Sequence, residues 1–439
     1  MCAAALNVFQ RLVRTWDAVY PYNAAQVLKL RGRADASAVN IAWQRAMAGM
    51  GLGSVRVVGV EAHFTQLNGQ ADRFSVRVLP AGTSLEDVLT EGLNRPFDDP
   101  EEPPFRPFLI QEPDAFYFGV VYQHWVADSV SIRLLLREWC LRLQDVAHAP
   151  MDAVRHPSDG YWKLFGSRHG DLRIDQAALG VFRSHMRFRR VLKVQTAGKD
   201  DYPVRVMLHA LPDGAIDALR LNARAQGVTV GDVLLAAIAE ACQRHLPVQR
   251  RPRRRDLAVG NIVDLRPHAR GRLDETFGLF LGFAHVFCTP SDLRDWPRLL
   301  KSVANQNRTH ARRGVAQSSA AWMLAASTVQ RLVPNDKLYH FYRKEIPLAA
   351  GLSNVNLNGT WVDTVHPDPL LEYLRISPTG PMAPLAFSTT TLGSRLQIAM
   401  TYRQALLTNQ AAEEMAKCVI DRLKSVAGVS CQLPVVSCQ

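Results

Sequence analysis

The stretch FYFGVVYQHWVADSVSIRLLLREWCLRL, residues 116–143, decides the interpretation of this chain. Residues 116–122 are apolar and aromatic, which is typical of a buried strand, and they lead directly into the H-x-x-x-D motif of His124 and Asp128. Asp128 or Ser129 supplies the N-cap of a following helix. The apolar residues of that helix recur at the spacing of one buried face: Ile132, Leu135, Leu136, Trp139 and Leu143. His124 is therefore predicted to lie on a rigid turn between two packed elements.

A histidine on such a turn can act as a general base, because an ordinary pKa of about 6.5 leaves its imidazole neutral at cellular pH. The motif alone is not specific, since His148/Asp152 and His209/Asp213 have the same spacing. His148 lies in a segment without hydrophobic periodicity. His209 also ends a predicted strand and precedes a helix, so it is a true competitor. The longer apolar strand and the Pro-rich loop before it favour His124.

The aspartate of the motif has a candidate partner far along the chain. In NIVDLRP, residues 261–267, a predicted strand ends at Asp264 and Arg266 before a proline. A buried carboxylate is costly when unpaired, whereas a bidentate guanidinium offsets that cost and locks the turn. One interpretation is therefore that Asp128 pairs with Arg266. The alternative is that Asp128 only caps its helix and that Arg266 is an exposed strand end.

Length and composition limit the class of protein. The chain has 439 residues, 47% of them apolar and 21% charged, which excludes a fibrous or disordered protein. At roughly 150 residues per domain, two to three domains are expected. No apolar run approaches the roughly 20 residues of a membrane span. The cationic residues near the N-terminus follow an apolar stretch, the reverse of a secretory signal, so we expect a cytoplasmic protein.

The cysteines and the net charge do not identify a binding partner. Seven cysteines are scattered without a C-x-x-C pair, so neither a metal site nor a disulfide framework is expected. The net charge of +12 is compatible with nucleic acid, with a phosphate-bearing cofactor or with an acidic protein. Charge alone does not choose among these partners.

Hydrophobic periodicity alternates between strands and helices throughout, which predicts a mixed α/β fold. Strands are predicted at 24–30, 54–60, 74–79, 115–122, 202–211, 256–262, 283–287, 384–391 and 395–402. Helices are predicted at 36–47, 84–93, 215–226, 230–244 and 409–426. The segment 147–170 has turn residues and no sustained period, which favours an interdomain crossover. We place the boundary near position 180, between subdomains 1–180 and 181–439.

Six segments in order along the chain resemble the condensation and acyltransferase proteins of the chloramphenicol acetyltransferase superfamily. The resemblance covers residues 17–426. It rests on NRPFD at 94–98 before PPFRPFLI, QHWVADS at 123–129, GVTVGDVLLAAIAEACQ at 227–243, DLRP at 264–267, TFGLFLGF at 276–283 and GLSNVNLNG at 351–359. It implies two similar α/β halves that face each other as a pseudodimer, with a tunnel between them.

The resemblance also implies roles for individual residues. His124 matches the family's catalytic histidine, Asp128 its structural aspartate, and Arg266 the arginine that pairs with the aspartate. Peptide-forming condensation domains usually carry two adjacent histidines and a glycine after the aspartate. In this chain Gln123 stands for the first histidine and Ser129 for the glycine. These departures favour a product other than a standard peptide bond.

Other residues are weaker candidates. Ser353 and Asn354 match a segment that lies near the tunnel in relatives, so they are predicted to orient substrate, with a simple Gly/Asn turn as the alternative. Tyr122 and Trp125 flank the base and Ser129 follows the aspartate, so all three are predicted to line the tunnel. One or both of the aromatic residues are alternatively part of the core.

Five positive charges surround a proline between a helix and a strand: Arg250, Arg251, Arg253, Arg254 and Arg255. One interpretation is a solvated loop. The functional interpretation is a docking site for the phosphates of coenzyme A or for an acidic carrier protein that bears a phosphopantetheine arm. Nucleic acid is not expected, because the sequence has no recognition helix, zinc spacing or RNA-binding signature.

The predicted function is acyl transfer from a thioester, on coenzyme A or a carrier protein, to a hydroxyl or amine of a small-molecule acceptor. His124 is the general base, an ester product is favoured, and no cofactor is bound tightly. The sequence lacks a G-x-S-x-G elbow, which favours direct transfer without an acyl-enzyme. The alternatives are a free-standing amide-forming condensation domain and a catalytically silent module that binds a carrier protein. The chain is expected to be a monomer.

Overall fold

The structure is a computed structural model that describes residues 2–59, 61–64, 74–99, 101–144, 154–155, 161–165, 182–195, 202–249, 251–359 and 370–429. Strands and helices alternate along the chain, so the predicted mixed α/β class is confirmed. The strands are β1 (Cys2–Ala5), β2 (Asn23–Arg31), β3 (Val55–Val58), β4 (Glu61–Phe64), β5 (Arg77–Leu79), β6 (Phe105–Gln111), β7 (Ala115–Gln123), β8 (Lys193–Val194), β9 (Val204–Ala210), β10 (Val248–Gln249), β11 (Leu257–Asp264), β12 (Leu281–Cys288), β13 (Ala350–Asn356), β14 (Leu370–Ile376), β15 (Leu385–Leu392) and β16 (Arg395–Arg403).

Helices pack on the faces of the sheets, and those that the sequence pattern predicts bury their apolar stripes. They are α1 (Val8–Asp17), α2 (Ala36–Gly49), α3 (Leu85–Asn94), α4 (Ser129–Gln144), α5 (Tyr161–Phe165), α6 (182–188), α7 (Ala215–Ala225), α8 (Val230–His245), α9 (Trp296–Arg312), α10 (Val315–Gln330), α11 (Asn335–Glu345) and α12 (Asn409–Ala427). A 3-10 turn, Arg266–His268, follows β11.

Two large mixed sheets organise the molecule. The first has five strands in the order β14-β2-β7-β6-β5, and the second has six in the order β12-β11-β13-β15-β16-β9. In the first sheet β2, β6 and β7 pair in antiparallel fashion, whereas β13 in the second sheet pairs in parallel with both β11 and β15. Each sheet lies largely within one half of the sequence. The predicted boundary at position 180 falls outside the described residues.

One strand crosses from the second half of the sequence into the first sheet. Strand β14 pairs antiparallel with β2, so that Arg375 lies opposite Gln26 and Leu374 opposite Val27. Buried apolar side chains of β14, including Leu374 and Ile376, join the core on that side of the sheet. The first sheet therefore includes a strand that lies about 340 residues after its neighbour in sequence.

Helix α3 covers β9, the edge strand of the second sheet. The backbone N–H groups of β9 at Val204, Val206 and Leu208 donate to side chains of Asn94, Thr90 and Glu86 at 2.9, 3.1 and 2.6 Å. The spacing of the donors along β9 matches the spacing of the acceptors along α3, because four helical residues rise about 6 Å and two strand residues about 6.6 Å. Asn94, the first residue of the NRPFD segment, thus joins the two halves and blocks further strand pairing at this edge.

Among the described helices, the sequence pattern did not predict α1, α5, α6, α9, α10 and α11. Helix α10 explains part of this result, because its apolar residues lie on more than one face. Met323 and Ala326 are buried, whereas Leu324, Val329 and the following Leu332 are exposed. A helix with apolar residues on several faces lacks the single stripe that periodicity detects.

Three further observations concern membranes, metals and thiols. Within the described residues no single helix is long and apolar enough to cross a membrane, although α7 and α8, bent by 97°, pass as a pair on length and composition. The same part of the chain has no cluster of three His, Cys, Asp or Glu side chains placed to hold a metal ion. Cys140, Cys242, Cys288 and Cys418 are free cysteines.

Candidate active site

A cavity that is partly open to solvent lies between the two large sheets. One wall comes from β2, β7, β14 and the turn after β7. The other comes from β11, β12, β13 and β15. Most of the lining is apolar, with Phe9, Ile262, Leu352 and Phe387 among its residues, and His124 and Ser129 lie in the wall of the first half. The histidine of the H-x-x-x-D motif therefore faces a cavity that both halves build.

The imidazole of His124 is held in one orientation. Its Nδ1 lies 3.0 Å from the carbonyl oxygen of Ala127. Because a carbonyl only accepts, Nδ1 carries the proton in the neutral ring and Nε2 keeps a free lone pair. The backbone N–H of His124 donates to Tyr22 O at 3.1 Å, and the Tyr22 ring stacks on the imidazole at 5.7 Å and 9°. Tyr122 packs edge-on at 5.8 Å.

The surroundings of His124 keep it neutral. Burial lowers the pKa of the imidazole below its ordinary value, and the positive charge of Arg375 acts in the same direction. The Ala127 carbonyl and the Asp128 carboxylate oppose this shift without reversing it. At neutral pH the ring is therefore an unprotonated base whose available nitrogen is Nε2.

Asp128 and Arg266 form a buried ion pair in which both side chains are at most 3% exposed. Nη1 of Arg266 contacts Oδ2 of Asp128, and its other nitrogens donate to Leu273 O at 3.2 Å, Ser131 Oγ at 3.0 Å and Thr276 O at 2.9 Å. Burial alone would raise the pKa of Asp128, but the charge and hydrogen bond of Arg266 hold it below its usual range. Asp128 is therefore a fixed anion directed towards Arg266.

Asp128 also caps α4, but the alternative of a cap alone with Arg266 as an exposed strand end is wrong, because Arg266 is buried against Asp128. Its Oδ1 accepts from the backbone N–H groups of Val130 and Ser131 at 3.1 and 3.0 Å. The TFGLFLGF segment closes over the turn, because Gly278 O accepts from Asp128 N at 2.8 Å and Phe280 N donates to Asp128 Oδ2 at 2.9 Å. Gly278 has a φ of 155°, a conformation that L side chains rarely adopt. The turn is therefore tied to the second half of the chain.

The predicted tunnel residues divide into two groups. The described cavity lining includes Tyr122, Ser129 and Ser353. Trp125 and Asn354 lie outside that lining: Trp125 is buried in the core, and the Asn354 side chain accepts a hydrogen bond from Thr389 Oγ1 at 2.8 Å.

Gln123, which stands where the resemblance has a first histidine, is not among the described residues that line the cavity. Its Nε2 donates to Oδ2 of Asp17 at 3.1 Å, and Tyr22 N donates to the other carboxylate oxygen at 2.7 Å. Burial raises the pKa of Asp17 to about 6, although both hydrogen bonds favour its ionised form. Gln123 therefore supports the Tyr22 backbone, and Tyr22 in turn holds His124.

Arg375 on β14 is a cavity residue that the sequence did not indicate. The residue is 5% exposed, and burial lowers its pKa to about 10, so it remains charged at neutral pH. It donates to Ser129 Oγ at 2.7 Å and to Ser353 Oγ at 2.6 Å. The only local signal is a basic residue inside the apolar segment YLRI, residues 373–376, which does not reveal what the side chain faces.

The competing histidines do not form a similar arrangement in the described residues. His209 lies on β9, where its Nε2 is 3.7 Å from Oε2 of Glu413. Asp213 pairs with Arg395 instead, at 3.0 Å. His148 and Asp152 lie outside the described residues.

The arginine loop, residues 251–255, joins β10 to β11. Arg251, Arg253 and Arg255 are exposed, whereas Arg254 is half-buried and donates to the carbonyl oxygens of Phe188 and Val191 at 3.2 and 2.9 Å. Arg250 falls outside the described residues.

Comparison with known proteins adds a fold-level match. No protein-family model matches the chain, and neither does any curated protein sequence. The first condensation domain of the calcium-dependent antibiotic synthetase, solved with a substrate analogue, is similar with a TM-score of 0.69 and 14% identity over 97% of each chain.

Two further structures show the same similarity. The condensation domain of the Monacolin K polyketide synthase MokA has a TM-score of 0.67 and 12% identity over 98% of each chain. The X-domain from teicoplanin biosynthesis has a TM-score of 0.59 and 18% identity over 97% of this chain and 95% of its own. These matches confirm the fold that the sequence motifs indicated: the chain has the two-subdomain, chloramphenicol acetyltransferase-like fold of condensation domains and X-domains.

Proposed function

We propose that this protein transfers an acyl group from a thioester to a hydroxyl or amine acceptor, with His124 as the general base. The observation that carries the proposal is the neutral imidazole in the cavity wall, with Nδ1 held by Ala127 and Nε2 available. Nε2 takes the proton as the acceptor attacks the thioester carbonyl, and an ester or amide bond forms. The carbon–sulfur bond then breaks, and the proton passes to the departing thiolate.

The ion pair supports the same mechanism indirectly. Because Asp128 is directed to Arg266, it fixes the turn that carries His124 without acting as a second base. The described cavity lining contains neither cysteine nor carboxylate. The serines of the lining are hydrogen-bonded to Arg375 or to Ser388, and none is hydrogen-bonded to His124 among the described residues. Direct transfer between two bound substrates therefore fits better than an acyl-enzyme. We infer that donor and acceptor enter from opposite ends of a tunnel that includes this cavity.

We further propose that the donor carries its acyl group on phosphopantetheine, as part of coenzyme A or of a carrier protein, and docks at the arginine loop. A chain of contacts leads from that loop to the cavity. Arg254 binds Phe188 O, the Phe188 ring lies 5.3 Å from His285, and His285 lines the cavity. Exposed guanidinium groups at this position would attract phosphates or an acidic surface.

The docking proposal has a direct test. Replacing Arg251, Arg253 and Arg255 together by glutamine should lower kcat/KM for an acyl-coenzyme A by about tenfold at low salt, because steering by charge is lost. The N-acetylcysteamine thioester of the same acyl group has the reactive end of the arm but no phosphates, so its kcat/KM should stay within about twofold. An equal change for both donors, or for neither, would refute docking of phosphates at this loop.

One specific observation favours a second function. The teicoplanin X-domain, which shares this fold, was solved in complex with another protein, OxyB. A catalytically silent module that binds a carrier protein is therefore the alternative, together with an amide-forming condensation domain. Mass spectrometry of reactions between acyl thioesters and alcohol or amine acceptors separates the three: an ester supports the favoured proposal, an amide the condensation domain, and the absence of both products the silent module.

A further inference from the structure

Arg375 is the only permanently charged residue among the described residues that line the cavity. Its guanidinium has no carboxylate within 4.0 Å in the described part of the chain, unlike Arg266, which has Asp128. A buried cation without a counter-ion is costly, and the lowered pKa of Arg375 reflects that cost. The cavity wall therefore presents a positive charge to whatever occupies it.

The hydrogen bonds of Arg375 leave one of its N–H groups available to a ligand. A guanidinium has five N–H groups. Nε donates to Ser129 Oγ, Nη1 to Ser353 O and Thr389 O at 3.4 and 3.3 Å, and Nη2 to Ser353 Oγ. Every one of these acceptors is neutral, the two Nη1 bonds are long, and one N–H of Nη2 has no acceptor among the described residues.

Two hydroxyl groups extend this donor set. Ser129 and Ser353 each accept a hydrogen bond from Arg375 through their oxygen, so each hydroxyl hydrogen is available for a further acceptor. Both serines line the same cavity as Arg375. Ser129 is also the residue that stands where the resemblance has glycine, so the departure supplies part of this group.

We propose that Arg375, Ser129 and Ser353 bind the carboxylate of a substrate whose remaining part is apolar. A carboxylate would accept from the guanidinium and both hydroxyls and would balance the buried charge. The chain attached to it would contact the apolar lining, which includes Leu352 and Phe387. The assignment of this ligand as a substrate depends on the proposed acyl transfer, whereas the carboxylate site itself does not.

The test compares octanoate with octanamide, which share an apolar chain and differ in charge. Calorimetric titration of the wild-type protein should show about tenfold or tighter binding of octanoate, because hydrogen bonds to charged groups are the stronger ones. Arg375→Gln should abolish that preference. Arg395→Gln is the matched control, since it removes a half-buried arginine outside the cavity lining that already pairs with Asp213, and it should preserve the preference.

Equal affinity for both probes in the wild type, or an unchanged preference in R375Q, would overturn the proposal. If R375Q does not fold, Ser353→Ala replaces it and should reduce the preference severalfold, because it removes one of the proposed donors. His124→Ala should keep the preference, because the base is not part of the carboxylate site. A wild-type protein that discriminates the probes but transfers no acyl group would refute the acyltransferase and retain the site.

Discussion

Replacing His124 by alanine should lower the rate of acyl transfer by about 100-fold to 10,000-fold, the range that general-base catalysis contributes. The loss follows because Nε2 of His124 is the base that the cavity presents and Nδ1 is committed to the Ala127 carbonyl. The fold should persist, since alanine removes only the ring contacts with Tyr22 and Tyr122 and one hydrogen bond to the Ala127 carbonyl. The backbone hydrogen bond to Tyr22 O stays in place. Thiol release from an N-acetylcysteamine thioester, followed with a chromogenic thiol reagent, measures the rate.

His209→Ala is the matched control for this variant. His209 lies on β9 outside the described cavity lining, so its replacement should leave the rate within about twofold. Circular dichroism and thermal unfolding of both variants separate loss of catalysis from loss of structure. Near wild-type turnover by a folded H124A protein would show that the base has been assigned wrongly.

Asp128→Ala should destabilise the protein by about 3–5 kcal/mol, because removal of one member of a buried ion pair leaves the other charge uncompensated. Arg266 would keep its bonds to neutral oxygens but lose its only fully buried anion. The N-terminus of α4 would also lose its cap. Urea unfolding measures the change, and acyl transfer should fall in parallel because the turn carries His124.

Two companion variants separate these contributions. Asp128→Asn keeps an acceptor for the N-cap but removes the negative charge, so it should remain destabilising through the Arg266 pairing. Asp213→Ala removes an exposed partner of Arg395, and such pairs contribute about 0–1 kcal/mol. Unaltered stability and full activity in D128A would refute the structural role of the pair.

Local sequence patterns were sufficient to predict the two elements that position His124. The apolar run of β7, the capping residue and the amphipathic stripe of α4 are encoded within 28 consecutive residues, 116–143, and the structure has these elements at those positions. For the partnership of Asp128 with Arg266 the residues left two interpretations open, and the family resemblance supported the pairing. A buried carboxylate requires a cation, and the DLRP segment offered one at the end of a strand.

The missed helices show where local patterns are insufficient. Helix α10 packs against α9, β12 and α1, and its apolar side chains lie on more than one face. Helices α9 and α11 each bury one face, so their stripes were present in the sequence but were not recognised. Gly282 of β12 approaches α10 so closely that an added Cβ would lie 2.4 Å from Ala316 O. Periodicity identifies a helix with one buried face and gives little signal for such packing.

The sequence by itself thus determined the mixed α/β class, the turn of His124 and the charge partner of Asp128. Only the tertiary structure decided which residues line the cavity around His124. Tyr22 reaches His124 through the pairing of β2 with β7, and Arg375 reaches Ser129 because β14 crosses into the first sheet. These contacts join residues that are about 100 and 250 positions apart. No local hydrophobic period encodes such long-range strand pairing, because it depends on burial shared by both halves.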